Sequence, residues 1–153
     1  MKATLRQHAR QRLDERLQAL KPTDRFTPPP KGWVKAIREA LGMTGVQFAR
    51  RMQVSPQSAD ALEKSEATGA VQLKTLRRAA EALDCTLVYA LVPNTTLEGA
   101  VRARARKIAM RDLGRVAHTM KLEAQGTGDA GQEARIEAYI REHLGDRDLW
   151  NER

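Results

Sequence analysis

The first stretch of the chain alternates between apolar and polar residues with the period of an α-helix. Between residues 4 and 20 the apolar positions recur at steps of three and four, which places them on one helical face. These positions are Leu5, Ala9, Leu13, Leu17 and Leu20. Because a single amphipathic helix needs a partner surface, we expect this helix to pack on the rest of the chain or on a second subunit.

A proline-rich segment, residues 21–32, follows this helix and contains Pro22, Pro28, Pro29 and Pro30. Proline cannot continue a helix and favours extended backbone, so this segment predicts a linker. It is the clearest domain boundary in the chain.

Four short helices are predicted between residues 33 and 84. Gly42 ends the first helix, and Thr44 begins the second with a capping box completed by Gln47. Ser55 caps the third, which has Pro56 at its first position, and the fourth covers about residues 73–83. The positions predicted to face inward are Val34, Ile37, Leu41, Phe48, Ala49, Met52, Ala59, Leu62, Leu73, Leu76, Ala79, Ala80 and Leu83.

The segment from Thr86 to Val92 is rich in β-branched and aromatic residues and stops at Pro93, so it predicts a short β-strand. A single strand cannot satisfy its own backbone hydrogen bonds, and the chain offers no obvious second strand. An antiparallel pair across the two-fold axis of a homodimer would solve this problem. The alternative is that the segment continues a helix.

The remaining residues, 94–153, predict a helical extension. A second capping box, from Thr95 to Glu98, opens a long basic helix that reaches about residue 125. The glycines of residues 126–131 interrupt it, and a last helix covers about residues 132–144. The predicted domains are therefore an N-terminal helix (1–20), a linker (21–32), a four-helix domain with its strand (33–93) and this extension (94–153).

Residues 44–63, TGVQFARRMQVSPQSADALE, have the layout of a helix-turn-helix with a tight turn at residues 52–55. The apolar and acidic positions of this stretch resemble the Xre and lambda-repressor-like family. The matching residues are Phe48, Ala49, Val54, Ser55, Ala59, Leu62 and Glu63. The resemblance implies an all-α, lambda-repressor-like bundle whose second motif helix enters the major groove of double-stranded DNA.

The side chains predicted to contact DNA are Thr44, Gln47, Arg50, Arg51, Ser55, Gln57, Ser58, Asp60, Ala61 and Lys64. Gln57 can pair bidentately with adenine, and Asp60 can accept from a cytosine amino group or pair with a neighbouring arginine. Arg50, Arg51 and Lys64 have the length and charge to contact phosphates, which position a protein without specifying sequence. Each of these side chains could equally be a solvated surface residue.

A closer resemblance is carried by residues 32–52, residues 62–93 and the string HTMKLEAQ at residues 118–125. These stretches are similar to the family called mobile mystery protein A. Its members are Xre-type regulators encoded beside a Fic-domain protein, which usually transfers AMP to a hydroxyl group. The resemblance therefore implies an autorepressor or antitoxin of a toxin–antitoxin-like pair with a Fic partner.

Three residues are candidates for contact with such a partner. Thr119 and Glu123 lie four positions apart on the long helix and resemble part of the inhibitory pattern of Fic inhibitors. Trp150, near the end of the chain, resembles an exposed aromatic anchor. The alternatives are an ordinary surface pair, a tryptophan packed on its own helix, and a basic helix face that extends the DNA footprint.

The charge of the chain supports a polyanionic partner. The net charge is +8, and a basic surface of this kind attracts nucleic acid. The single cysteine, Cys85, excludes an internal disulfide, and the three histidines lack metal-ligand spacing. We find no nucleophile, phosphate-loop or membrane-spanning pattern, so we expect no enzyme activity, cofactor, bound metal or membrane association.

Three hypotheses of function follow for this chain, which we expect to be cytoplasmic and nucleoid-associated. The first is a sequence-specific dimeric repressor, the second is an antitoxin that binds its protein partner directly, and the third is a nonspecific nucleic-acid binder.

Overall fold

The computed structural model describes residues 2–119 and 128–151 and divides the chain into two compact units. The central unit is Pro22–Ala90, and the terminal unit combines Met1–Lys21 with Leu91–Arg153. Within the described residues there are seven α-helices, joined by turns and two short 3-10 helices, and no β-strand. The fold is therefore all-helical, as the sequence predicts.

The helices begin and end close to the predicted positions. In the central unit they are α2 (Trp33–Ala40), α3 (Gly45–Met52), α4 (Pro56–Ala67) and α5 (Leu73–Ala82). In the terminal unit they are α1 (Lys2–Gln18), α6 (Leu97–Thr119) and α7 (Asp129–His143). The 3-10 helices are Thr23–Phe26 and Asp148–Trp150.

The core of the central unit is small and aliphatic around one aromatic ring. Phe48 of α3 is fully buried, and α3 packs against both α4 and α5. The other buried apolar residues are Val34, Ala49, Met52, Ala59, Leu62, Ala79 and Leu83. All of these positions were predicted to face inward from helical periodicity, and the structure confirms them.

An ion pair inside this core joins α2 to α4. Arg38 donates from Nε to Oε1 of Glu63 at 2.5 Å and from Nη2 to Oε2 at 3.2 Å. Arg38 Nη1 also donates to the carbonyl oxygen of Met43 in the loop before α3. The two side chains are only 12% and 7% exposed. One guanidinium therefore fixes the positions of α2, α4 and the loop between α2 and α3.

The start of α2 is closed by a side chain from α4. Glu66 accepts from the backbone N–H of Trp33 at 2.8 Å and of Val34 at 2.9 Å. The residue before the helix, Gly32, has φ of 87°, and a Cβ there would lie 2.6 Å from Oε1 of Glu66. Glycine suits this position because its φ of 87° is one that L side chains rarely adopt, and a side chain here would also displace the capping carboxylate.

The strand predicted at residues 86–92 is not present in the structure. The structure assigns no regular secondary structure to this segment, and no strand occurs in the described residues that could pair with it. The prediction used local composition, whereas a strand is stabilised only by a hydrogen-bonded neighbour.

The terminal unit brings the two ends of the chain together, because α1 packs against α6. Asp14 accepts from the backbone N–H groups of Leu97 and Glu98, so an α1 side chain caps the start of α6. Arg10 of α1 binds Glu98 at 2.7 Å. The capping box predicted from Thr95 to Glu98 is therefore wrong, since Glu98 pairs with Arg10 and Thr96 accepts from the N–H of Gly99.

The apolar face predicted for α1 is only partly covered. Leu5 is 65% exposed and Leu13 is 46% exposed. The buried core of this unit instead centres on Ala105 and Ile108 of α6 with Leu149 from the C-terminal 3-10 helix. Polar contacts, rather than the leucine stripe, are the main link between α1 and α6.

In the part of the chain that the structure describes, no helix is long and apolar enough to cross a membrane. The same residues contain no group of three or more histidine, cysteine or acidic side chains arranged to hold a metal ion.

Replacing Arg38 by alanine should lower the free energy of unfolding by about 3–5 kcal/mol, because it leaves the buried Glu63 carboxylate without its partner. The double variant Arg38→Met with Glu63→Leu should lose less, since it removes both charges and fills a similar volume. Urea denaturation of the two variants measures the difference. A double variant less stable than Arg38→Ala would contradict this account.

Candidate nucleic-acid interface

The first helix of the motif, α3, begins at a reciprocal cap. Thr44 Oγ1 accepts from the backbone N–H of Gln47 at 3.1 Å, and Gln47 Oε1 accepts from the N–H of Thr44 at 2.9 Å. This is the capping box predicted from the sequence. The Gln47 side-chain NH₂ group does not take part in the cap, and both residues are exposed.

The turn between α3 and α4 is set by one residue in the left-handed region. Gln53 has φ of 59°, and the following Val54 N–H donates to the carbonyl oxygen of Ala49 at 3.0 Å. Ser55 then accepts from the N–H of Ser58 at 3.1 Å and caps α4, with Pro56 as its first residue. Only three residues separate the two helices, so α4 leaves α3 at a sharp and well-defined corner.

The helix after this corner, α4, has two distinct faces. Ala59, Leu62 and Glu63 are buried, whereas Gln57, Asp60 and Lys64 are exposed. The buried face is held by the core and by the Arg38–Glu63 ion pair. The exposed face therefore presents amide, carboxylate and ammonium groups on a rigid support, which suits reading of base edges.

Asp60 and Lys64 form an ion pair one turn apart on this exposed face. Lys64 Nζ lies 2.7 Å from Asp60 Oδ2. The hydrogen bond from Lys64 lowers the pKa of Asp60, and the same bond raises the pKa of Lys64. Both groups are therefore charged at neutral pH, and Asp60 is available only as a hydrogen-bond acceptor.

The two arginines of α3 differ in their surroundings. Arg51 Nε donates to the carbonyl oxygen of Ala82 at 2.6 Å, at the C-terminal end of α5. This contact suits a cation because the end of a helix carries partial negative charge. Arg50 is exposed and pairs with no other described residue. Arg50 thus has the freer guanidinium for an external anion.

The side chains that we predicted to contact DNA are all exposed in the structure. Thr44, Gln47, Arg50 and Arg51 lie on or beside α3, and the rest lie on or just before α4: Ser55, Gln57, Ser58, Asp60, Ala61 and Lys64. Ser55 Oγ and Ser58 Oγ are 2.9 Å apart, so these two hydroxyls are already engaged with each other.

The candidate partner-binding residues lie in the terminal unit. Trp150 is 60% exposed, whereas its neighbour Leu149 is 2% exposed and packs against α6. Glu123 and the side chain of Thr119 lie outside the described residues. The role of Trp150 as an anchor for a partner protein stays a prediction.

The sequence analysis assigned no structural role to Arg38, Glu63 or Glu66. The two glutamates lie on the same helical face as Ala59 and Leu62, three and four positions apart. A carboxylate on an inward face needs a buried partner, so this spacing was a usable signal for an ion pair or a helix cap.

Comparison with known proteins identifies the central unit. A protein-family model described as helix-turn-helix matches residues 34–89, little more than a third of the chain. Residues 34–89 are therefore similar to a helix-turn-helix domain, as the sequence predicts. No curated protein matches the chain. No solved structure matches it either.

Replacing Ser55 by alanine should lower the free energy of unfolding by about 1 kcal/mol, because the N–H of Ser58 loses its acceptor at the start of α4. Ser55→Gly should lower the free energy of unfolding by only a few tenths of a kcal/mol, since glycine lets water reach the same N–H. Thermal unfolding followed by circular dichroism compares the two variants. Equal stabilities for Ser55→Ala and the unmodified chain would contradict the cap.

Proposed function

We propose, on the basis of the helix-turn-helix domain at residues 34–89, that this protein is a sequence-specific, double-stranded-DNA-binding transcription regulator. The observation that carries the proposal is the exposed face of α4, which follows a capped corner and is held in place by the buried Arg38–Glu63 pair. A rigid helix with a polar outer face can lie in the major groove.

Base reading is assigned to Gln57 and Asp60. The amide of Gln57 can donate to and accept from the edge of adenine, and the Asp60 carboxylate can accept from the amino group of cytosine. The pair with Lys64 keeps Asp60 ionised, so Asp60 disfavours any base that presents only acceptors at its position. On one helix face, Gln57 therefore favours adenine and Asp60 favours cytosine.

Phosphate contacts are assigned to the cations around the motif. Arg50 can bind a phosphate without breaking any contact to described residues. Arg51 donates to the carbonyl oxygen of Ala82 through Nε, so its two Nη groups can still bind a phosphate. The NH₂ group of Gln47 and the hydroxyl of Ser58 can support the same backbone contacts. Such contacts orient α4 in the groove but do not choose the sequence.

Gln57→Ala should weaken binding to the preferred site by about 1–3 kcal/mol and relax the preference at one base pair, because a bidentate contact is lost. The matched variant Arg50→Ala should weaken binding to all sequences alike and reduce the salt slope by about one unit. Selection from random duplexes followed by titrations at several salt concentrations measures both effects.

Two results of this experiment would contradict the assignment. If Gln57→Ala weakens binding to every sequence equally, Gln57 contacts the backbone rather than a base. If selection enriches no sequence with the unmodified chain, the protein is a nonspecific nucleic-acid binder, which was the third hypothesis.

We further propose that the regulator acts as a homodimer in the cytoplasm, on the nucleoid, at an operator near its own gene. Two copies of α4 related by a two-fold axis would read half-sites about 34 Å apart, one turn of the duplex. The predicted operator is therefore a palindrome, and a footprint on DNA upstream of the gene tests it.

The terminal unit supports a second proposed function, an antitoxin that binds a Fic-domain partner through its C-terminal helices. The supporting observation is the exposed Trp150 together with a groove of about 580 Å³, whose lining combines apolar side chains such as Ile140 with charged ones such as Arg106 and Glu137. Exposed aromatic residues and arginines are enriched among the residues that contribute most to binding at protein interfaces. The Fic identity of the partner rests on the resemblance to the mobile mystery protein A family.

Co-expression with the Fic-domain protein encoded by the adjacent gene separates the two functions. A chain carrying Gln57→Ala and Arg50→Ala should still relieve toxicity if inhibition is direct, whereas Trp150→Ala should not, because it removes the anchor. Glu123→Gln tests the inhibitory-pattern hypothesis in the same assay. If the DNA-binding variant fails and Trp150→Ala succeeds, the direct-inhibition proposal is wrong.

A further inference from the structure

A notch of about 330 Å³ lies between α4 and α5, within the central unit. The most deeply buried residues that line it, Met52 and Leu62, are apolar, and Val54 and Val71 extend this apolar floor. Pockets that bind small molecules begin at about 300 Å³. The notch is therefore large enough for one small organic molecule.

Hydrogen-bonding side chains surround the apolar floor of the notch. Ser65 of α4 and Thr75 of α5 line it, and both residues are half-buried. Within the described residues, neither hydroxyl group makes a hydrogen bond, and the Gln72 amide beside them makes none either. Because half-buried hydroxyl groups usually bind a partner or water, these groups are available to a ligand.

Arg78 of α5 gives the notch its charge. Arg78 Nη2 donates to the carbonyl oxygen of Met52, the last residue of α3, at 3.2 Å. This bond holds the guanidinium at the notch, while its Nε and Nη1 groups donate to no other described residue. Among the described residues that line the notch there is no aspartate or glutamate, so no carboxylate of the lining balances this charge.

Charge complementarity selects an anion that carries an apolar group. A carboxylate can accept from the Arg78 guanidinium and from the hydroxyl groups, and such charge-assisted bonds are stronger than neutral ones. An apolar group on the same molecule would cover the floor of the notch. A neutral molecule would leave the guanidinium without a partner, and inorganic phosphate would leave the apolar floor in contact with water.

We infer that the notch binds a small organic anion, of the class of aromatic monocarboxylates, with its acid group on Arg78 and its ring on the apolar floor, and that the bound anion releases DNA from α4. The binding of the anion stands on the notch alone. The release of DNA rests on the proposed function.

The position of the notch on α4 links the two events. Three residues of α4 line the notch, and each directly follows a residue of the exposed face that we propose reads bases. The three are Ser58, Ala61 and Ser65, and the residues before them are Gln57, Asp60 and Lys64. A ligand in the notch would therefore lie beside the reading face, and its negative charge would repel the phosphates of an approaching duplex.

Titration of the full chain with 1-naphthoate, followed by two-dimensional NMR of the ¹⁵N-labelled protein, tests the site. The dissociation constant should be about 1 mM or lower for a molecule of this size. The neutral isostere 1-naphthamide and inorganic phosphate should each bind at least about tenfold more weakly, because each lacks one half of the required chemistry. The largest changes in amide shift should fall on Val71, Gln72 and Thr75.

Two neighbouring arginines of α5 provide a matched pair of variants. Arg78→Ala should weaken 1-naphthoate binding at least about tenfold, since it removes the charge at the notch. Arg77→Ala removes the same charge one residue away, from a side chain that does not line the notch, and should change the dissociation constant less than about twofold.

Thr75→Val keeps the site testable if Arg78→Ala does not fold, because it retains the bond between Arg78 and Met52. It replaces a hydroxyl by a methyl group of similar size and should weaken 1-naphthoate binding at least about threefold.

The release of DNA is measured by titrating the selected duplex in the presence of 1-naphthoate at about ten times its dissociation constant. Duplex binding should weaken about tenfold, as expected for competition, and an equal concentration of chloride should have a smaller effect. In Arg78→Ala the two salts should act alike.

The outcomes separate the anion site from the proposed function. Equal binding of the acid and the amide, or an equal loss in Arg77→Ala and Arg78→Ala, overturns the anion site. If 1-naphthoate does not bind while Arg78→Ala weakens DNA binding and lowers its salt slope, the notch holds a DNA phosphate and the inference is wrong. Binding of 1-naphthoate that leaves duplex affinity unchanged overturns the release of DNA. Binding at the notch in a chain that selects no DNA sequence supports the anion site while the proposed function fails.

Discussion

The guanidinium of Arg38 is the contact on which the geometry of the helix-turn-helix depends. It binds both carboxylate oxygens of Glu63 and the carbonyl oxygen of Met43, so α2, α4 and the loop before α3 are fixed by one side chain. Buried ion pairs contribute little to net stability compared with apolar packing, but they impose direction. In this protein the Arg38–Glu63 pair links α4 to α2, and it therefore favours the orientation of α4 in which Gln57, Asp60 and Lys64 face outward.

Carboxylates from distant helices close the helix starts in both units. Glu66 binds the first two amides of α2, and Asp14 binds the first two amides of α6. In each case the charge meets the positive end of the helix while also linking two elements. The cap also restricts the residue before α2, since Gly32 has a positive φ and a side chain there would displace the Glu66 carboxylate. Tertiary caps of this kind connect helix formation directly to packing.

Residues 85–97, which carry no charge, show a conflict between a local preference for a strand and the lack of a neighbouring strand. They favour a strand, but the described residues contain no strand to pair with them. An exposed segment without a neighbouring strand leaves its backbone groups to water and does not form a strand by itself. The lack of a neighbouring strand explains why the strand prediction was wrong.

The sequence by itself determined the features that need only three or four neighbouring residues. The Thr44–Gln47 cap, the Ser55 cap and most inward positions of α2 to α5 follow from local hydrogen bonds and helical period, and the structure confirms them. The inward prediction is wrong for Leu41 and Leu73, which are 58% and 44% exposed at the ends of their helices. Tertiary structure decided the contacts whose partners are far apart in the chain, 25 positions for Arg38 with Glu63 and 83 for Asp14 with Leu97. The helical period can place a carboxylate such as Glu63 on an inward face, but it does not identify the partner, because the distant side chain reaches that carboxylate only when the helices pack.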